Sequence, residues 1–275
     1  MACQGTALCR VVAMATDVPG VVMLGCNHDQ YGAVNSVSVS ARVAAAISVG
    51  ADPESPSMEF KGASGILNED AVLAYEIGPV VVLAVADAHF GHESSHDLIE
   101  GIAMQLMRAA PASLKDIYDV LALIGAMTVS ETESESTLLV TVFDRETGGG
   151  FGISYGDSTA ALVGPDGGFR QLNQHDLQFV RAASFLTPTP GLSFFFEARP
   201  SDILLVYTDG IDECHYRNPE TSVRPVHIER FVERFGADPE QLAKALATYA
   251  LAGVQGNPGG QDNIAIAAAS AAWPS

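Results

Sequence analysis

Residues 80–92 read Val-Val-Val-Leu-Ala-Val-Ala-Asp-Ala-His-Phe-Gly-His. The apolar run Val80 to Ala86 is too short to cross a bilayer and suits a strand buried on both faces. It stops at Asp87, and His89, Gly91 and His92 follow at once. A carboxylate at the end of a buried strand costs several kcal/mol if left unpaired, so such a group binds a metal or another cation. Asp87 therefore reads as the centre of a metal site whose partners come from the rest of the chain.

Downstream, Ser94 to Ala109 has a helical period, with Leu98, Ile102, Leu106 and Met107 on one face, and Pro111 ends it. Leu114 to Met127 repeats the period at Leu114, Ile117, Leu121 and Ile124, which predicts two antiparallel helices joined by a short turn. Upstream, residues 9–15, Val22 to Cys26 and Val37 to Val49 read as short strands, and Ala51 to Ser57 as a loop. Asn68, Glu69 and Asp70 form a polar group directly before apolar Ala71 to Ala74. Further on, Ser136 to Phe143 and Phe151 to Tyr155 read as strands, the second ending in Gly156-Asp157-Ser158. Ala160 to Val163 and Phe169 to Leu172 flank a Pro-Asp-Gly-Gly hairpin signal. Ile203 to Tyr207 is a strongly apolar strand ending in Thr208-Asp209-Gly210. Pro239 to Leu251 is helical, and Gly259-Gly-Gln-Asp-Asn263 leads into a last strand, Ile264 to Ala269. Strands and helices come in blocks, which favours α+β with antiparallel sheets over a doubly wound parallel sheet.

The composition, 48% hydrophobic and 17% charged, is that of a folded globular chain. At 275 residues the expectation is one domain, with 1–57 as divergent N-terminal strands and loop and 58–270 bearing the motifs. No apolar run is long enough for a membrane span, and the first twenty residues lack a signal-peptide pattern, so a cytoplasmic location is expected. Cys3, Cys9, Cys26 and Cys214 form no Cys-x-x-Cys pair, which argues against a zinc ribbon or a disulfide framework. A formal net charge of −19 argues against nucleic acid and against an anionic membrane as partners. Oligomeric state is left open.

Asp70, Asp87, Asp209 and Asp262 each lie where an apolar strand begins or ends. One such Asp is usually a cap or turn residue. Four of them suggest carboxylates converging at one edge of a common core, where their mutual repulsion needs cations. Oxygen ligands with no nearby Cys favour hard ions, Mg²⁺ or Mn²⁺, over zinc.

These residues also carry a resemblance. Asn68-Glu-Asp70, Val85-Ala-Asp-Ala-His89 with Gly91-His92, Gly156-Asp-Ser158, Thr208-Asp-Gly210 and Gly260-Gln-Asp-Asn263 resemble, in order and spacing, the metal-dependent protein phosphatases (PPM, type 2C serine/threonine phosphatases). The resemblance covers about residues 58–270. It implies a four-layer α-β-β-α sandwich, two packed antiparallel sheets flanked by antiparallel helix pairs, with two metals at one end. By motif, Asp87 would bridge both ions and Asp70 would hold one of them with Glu69. Asp209 and Asp262 would complete the other, and Ala88 would lend its main-chain carbonyl. Gly156-Asp157-Ser158 would be a structural turn. His89 matches a family histidine that protonates the leaving seryl or threonyl oxygen, and His92 would support the loop. The implied function is hydrolysis of phosphoserine or phosphothreonine in a phosphorylated protein by a metal-bridging water, with two or three Mg²⁺ or Mn²⁺ ions.

The pattern departs from the family in three places. Ala88 stands where Gly is usual, which would strain a positive φ. Gly65 stands where many members carry a phosphate-binding Arg, a lost charge-assisted bond of about 1.5–3 kcal/mol; Lys61 lies nearby and is a candidate substitute. Glu131 and Glu133 occupy the region where relatives place an Asp for a third metal. These departures give the alternative reading, a catalytically weak or inactive phosphatase-like module that binds a protein partner. A third reading, a relative of bacterial phosphatases acting on antagonists of anti-sigma factors, fits the Asn-Glu-Asp form less well.

Overall fold

The computed structural model describes residues 19–55, 65–106, 109–128, 132–186 and 190–271. The apolar run at the centre of the chain forms β5 (Val80–His89), buried from Val81 to Ala88. It pairs antiparallel with β4 (Asp70–Ile77) on one side and β7 (Leu138–Asp144) on the other. Its side chains alternate between two cores, as a strand period of two requires. Val81, Leu83 and Val85 face a second sheet, while Val82, Ala84 and Ala86 face helices.

The first sheet extends outward as β1 (Gly20–Leu24), β4, β5, β7, β8 (Gly149–Tyr155) and β11 (Leu192–Glu197). The two-residue β6 (Glu135–Ser136) pairs with the end of β5. The second sheet runs β10 (Phe169–Gln171), β9 (Thr159–Val163), β12 (Ile203–Tyr207), β13 (Ile264–Ser270), β3 (Val43–Ser48) and β2 (Asn35–Ser40). Every strand pair is antiparallel. Between the sheets, small residues meet large ones. Ala45, Ala160, Ala265, Ala267 and Ala269 of the second sheet share a core with Val72, Leu83, Val85, Leu139 and Phe143 of the first. Such size complementarity lets the layers approach without voids.

Helices cover both outer faces. On the first sheet, α1 (Glu93–Leu106) and α2 (Leu114–Met127) bury Leu98, Ile99, Ile102, Ile117, Leu121 and Ile124. Ser113 caps α2 by accepting from the Asp116 N–H. On the second sheet, α3 (Pro225–Phe235) and α4 (Pro239–Ala252) bury Ile228, Val232, Leu242 and Leu246 against Leu205, Tyr207 and Ile266. Asp238 caps α4 through the Gln241 N–H. The result is the α-β-β-α sandwich expected from the sequence. No helix among the described residues is long and apolar enough to cross a membrane.

Some expectations differ. α1 ends at Leu106, with residues 107–108 outside the described set. β11 and α3 were not foreseen. The strand expected at 9–15, with Cys3 and Cys9, lies outside the described residues.

Candidate active site

β4 opens on Asp70 and β5 reaches Asp87 near its end, and the two are direct partners in the strand register. Asp87 gives both main-chain groups to the β7 side: its carbonyl accepts from the Thr137 N–H at 2.8 Å, and its N–H donates to Thr137 Oγ1 at 3.0 Å. It therefore faces Asp70 as a non-hydrogen-bonded pair, the arrangement that brings facing side chains closest, with Cβ atoms about 4.5–5.5 Å apart. Strand alternation places both carboxylates on the face that carries Val72 and Val85, toward the second sheet. Both are buried.

Asp209 and Asp262 come from the second sheet, at the end of β12 and the approach to β13, and polar side chains tie them to the first pair. Thr208 Oγ1 donates to Asp70 Oδ2 at 2.8 Å and accepts from the Ala265 N–H at 2.9 Å. Asn263 accepts from the Glu69 N–H at 2.9 Å through Oδ1 and donates to the Val49 and Leu67 carbonyls through Nδ2. Gly210 lets the two loops meet: a Cβ there would lie 1.8 Å from the Asn263 carbonyl oxygen. The four aspartates thus share one end of the sandwich. Glu69 is also buried there, its Oε1 accepting from the Gly91 N–H at 3.0 Å and its carbonyl from Ser95 Oγ of α1.

Ala88 corrects an expectation. It is buried within β5, opposite Ser136, and has no positive φ, so the strain foreseen there is absent. Because Asp87 points its main-chain groups toward Thr137, alternation turns the Ala88 carbonyl to the opposite side of the strand, toward the entrance to β4. The left-handed backbone falls two residues later, at Phe90 (φ 61°) and Gly91 (φ 124°). His89 ends β5 on the same strand face as Asp87, half-buried, with its ring edge-on to Phe179 at 4.8 Å. His92 meets His96 edge-on at 4.7 Å. Burial, and then the neighbouring His92, push His96 down to about 3.

The Gly156-Asp157-Ser158 turn does more than shape the backbone. Gly156 (φ 86°) donates its N–H to Asp176 Oδ1 at 2.7 Å, and Ser158 Oγ meets Thr137 Oγ1 at 2.9 Å. Asp157 itself faces the acids. Burial raises its carboxyl, the Asp87 charge raises it further, and His175 and His89 oppose the shift. Glu213 is raised by burial, then by Asp157 and Asp262. Asp157 and Glu213 thus belong to the same acidic end, and sequence reasoning missed both. Gly-Asp-Ser reads as a turn, and Glu213 lies six residues beyond its strand, next to a second acid, Asp212.

The donor set is all oxygen, which suits a hard divalent ion. Among the described residues, however, no three His, Cys, Asp or Glu side chains stand close enough together to enclose one. The four aspartates converge on one end without closing into a coordination shell. Of the other candidates, Gly65 lies in a turn with φ 81° and open space where a side chain would be. Glu133 is exposed, in a separate cleft with Ser94, Asp97 and Arg181. Lys61 and Glu131 lie outside the described residues.

Two back-to-back antiparallel sheets, a helix pair on each, and acids from both sheets at one end define a protein of the metal-dependent protein phosphatase (PPM) class. Within it, the chain belongs to the Stage II sporulation protein E (SpoIIE) family, whose model matches residues 79–271. Solved structures share the fold at low identity. The catalytic domain of the serine/threonine protein phosphatase PstP, in complex with two manganese ions, is 20% identical with a TM-score of 0.58, over 86% of this chain and 99% of that one. RsbX in complex with magnesium is 12% identical with a TM-score of 0.56, over the same shares. A C. elegans sex determining protein is 19% identical with a TM-score of 0.52, over 74% of this chain and 61% of that one. No curated protein matches the sequence.

Proposed function

We propose that this chain hydrolyses phosphoserine or phosphothreonine in a phosphorylated protein, using Mg²⁺ or Mn²⁺. The observation that carries the reading is the facing pair Asp70 and Asp87, buried at the acidic end and joined to the second sheet by Thr208. In this reading Asp87 would be the ligand common to two ions, Asp70 and Glu69 would help to hold one, and Asp209 and Asp262 would help to hold the other. The Ala88 carbonyl, turned toward the entrance to β4, would be a further oxygen ligand. Divalent ions bound there supply a water acidic enough to attack phosphorus near neutral pH and screen the phosphoryl oxygens. His89 donates a proton to the leaving seryl or threonyl oxygen. The PPM class, the family match and an all-oxygen donor set support this function. A weaker or non-catalytic phosphatase-like module that binds a protein partner is favoured by one observation, the absence of a side chain at Gly65.

The test is hydrolysis of p-nitrophenyl phosphate with Mn²⁺, with and without chelator, together with calorimetric Mn²⁺ titration. Asp87→Asn and Asp209→Ala are each expected to lower kcat by about a hundredfold or more and to weaken Mn²⁺ binding. Equal rates in wild type, variants and chelator would overturn catalysis. Mn²⁺ binding without turnover would favour the binding module.

A further inference from the structure

On the outer face of the second sheet, α3 and α4 enclose a groove of about 270 Å³ lined by His227, Arg230, Phe231, Arg234 and Tyr249. Arg230 and Arg234 are exposed, one helical turn apart. Phe231 and Tyr249 form the floor, ring centroids 5.1 Å apart, and the Arg234 guanidinium lies 4.8 Å from the centre of the Phe235 ring. His227 is held in place because its Nδ1 accepts from the Arg224 N–H at 3.0 Å and its ring packs on Tyr249 at 5.7 Å. Burial, then the charges of Arg230 and Arg224, hold His227 below its ordinary range.

The acids of α3 lie to one side of this face, and neither Glu229 nor Glu233 lines the groove. Glu229 turns toward the β9–β10 hairpin, where it accepts from the Phe169 N–H at 2.9 Å. Glu233 lies on the flank between Glu229 and Arg230, and α4 contributes only Tyr249 to the groove. Three of the fourteen Lys and Arg residues, Arg224, Arg230 and Arg234, fall on or beside α3 in a chain of net charge −19. The groove is thus a basic, aromatic island on an acidic protein.

We propose that this groove docks an acidic segment of a protein partner, its carboxylates paired with Arg230 and Arg234 and one apolar side chain set against Phe231 and Tyr249. Charge complementarity selects the occupant. The net negative charge of the molecule repels an acidic segment, while Arg230 and Arg234 attract it at this face. Arg and Tyr are the residue types that carry binding energy in protein interfaces. The volume is below the roughly 300–1,000 Å³ of small-molecule pockets but admits one anchoring side chain. Three arginines against the overall charge are too few to hold a nucleic-acid backbone. The proposal is independent of the proposed catalysis, since the groove contains none of its residues.

The test is fluorescence anisotropy of the full chain with a labelled peptide of alternating Asp and Glu around a central Phe-Leu pair. Binding is expected, and it should weaken at least about tenfold in the R230E/R234E double variant. It should also weaken severalfold between about 50 and 300 mM salt. The same peptide with Lys in place of its acids should not bind. Circular dichroism melting confirms that the variant is folded, and its hydrolysis of p-nitrophenyl phosphate should equal that of wild type. The proposal fails if wild type does not bind the acidic peptide or if the charge reversal leaves binding unchanged. It also fails if a single-stranded oligonucleotide or phosphatidylserine vesicles bind more tightly than the peptide. Self-association that disappears in R230E/R234E, with no peptide binding, would likewise overturn it.

Discussion

The two sheets deliver their acids to the same end by different means. Asp70 and Asp87 hang on the register of two long paired strands, and eight successive residue pairs hold that register. Asp209 and Asp262 lie beyond the ends of their strands, in loops that Thr208 and Asn263 tie to the first sheet. A register fixed by buried side chains on both faces resists single substitutions, because a slip would turn every residue to the wrong side. A loop joined to the opposite sheet through individual side-chain hydrogen bonds has less of that redundancy. The first pair is therefore the rigid half of the site, and the second pair is the half that a single substitution can displace.

The strongest way to break this contrast is Asn263→Ala. It strands the Glu69 N–H and the Val49 and Leu67 carbonyls in a buried setting, at roughly 1–3 kcal/mol for each group left unsatisfied. The urea midpoint should fall, and hydrogen exchange should quicken at Glu69 while β5 stays protected. Equal loss of protection in β5 would show that the two halves are not separate. Thr208→Val is milder. It keeps the shape and removes the hydroxyl between Asp70 and Ala265, for about 1–2 kcal/mol. Under the proposed function, kcat should fall about tenfold with little change in p-nitrophenyl phosphate KM.

The smallest effect separates Asp209 from Asp212, an acid in the same turn that faces the core. Burial pushes Asp212 up to about 7, against hydrogen bonds from Tyr207 and Thr159 and the Arg224 charge, which pull it down. An acid raised in the folded state stabilises the fold fully below its unfolded value of 3.8, and that contribution is lost as pH rises toward 7. Asp212→Asn should flatten this part of the pH dependence, giving a smaller fall in urea midpoint between pH 4 and 7 than wild type. An identical slope in both proteins would show that Asp212 ionises normally.

How far the sequence shows this arrangement depends on how each part is encoded. β5, β12, β13 and α2 are legible because each is a sustained apolar or helical pattern bounded by Gly, Pro or Asp. β11 is not. It alternates buried Phe194 and Phe196 with exposed Phe195, so three adjacent aromatics hide the period of two. α3 opens at Pro225 with Arg224 in the cap position instead of a Ser, Thr, Asp or Asn, and charged residues interrupt its apolar stripe. At the site, the four aspartates stand out because each borders an apolar strand. Asp157 also follows a strand but reads as a turn residue between Gly and Ser, and Glu213 lies farther from its strand; the packing of one sheet on the other makes them neighbours of Asp87 and Asp262. The strain expected at Ala88 was misplaced by two residues, because strand pairing with β6 carries regular backbone past Asp87 as far as His89.

β13 lies late in the sequence yet in the middle of its sheet, between β12 and β3. On the ribosome, a nascent chain that has already emerged through α4 still has an open gap between two strands that cannot bond to each other. It also lacks the amide that anchors the entrance to β4. The second sheet is therefore completed only when that insertion occurs, a late and non-local step in the folding of the chain.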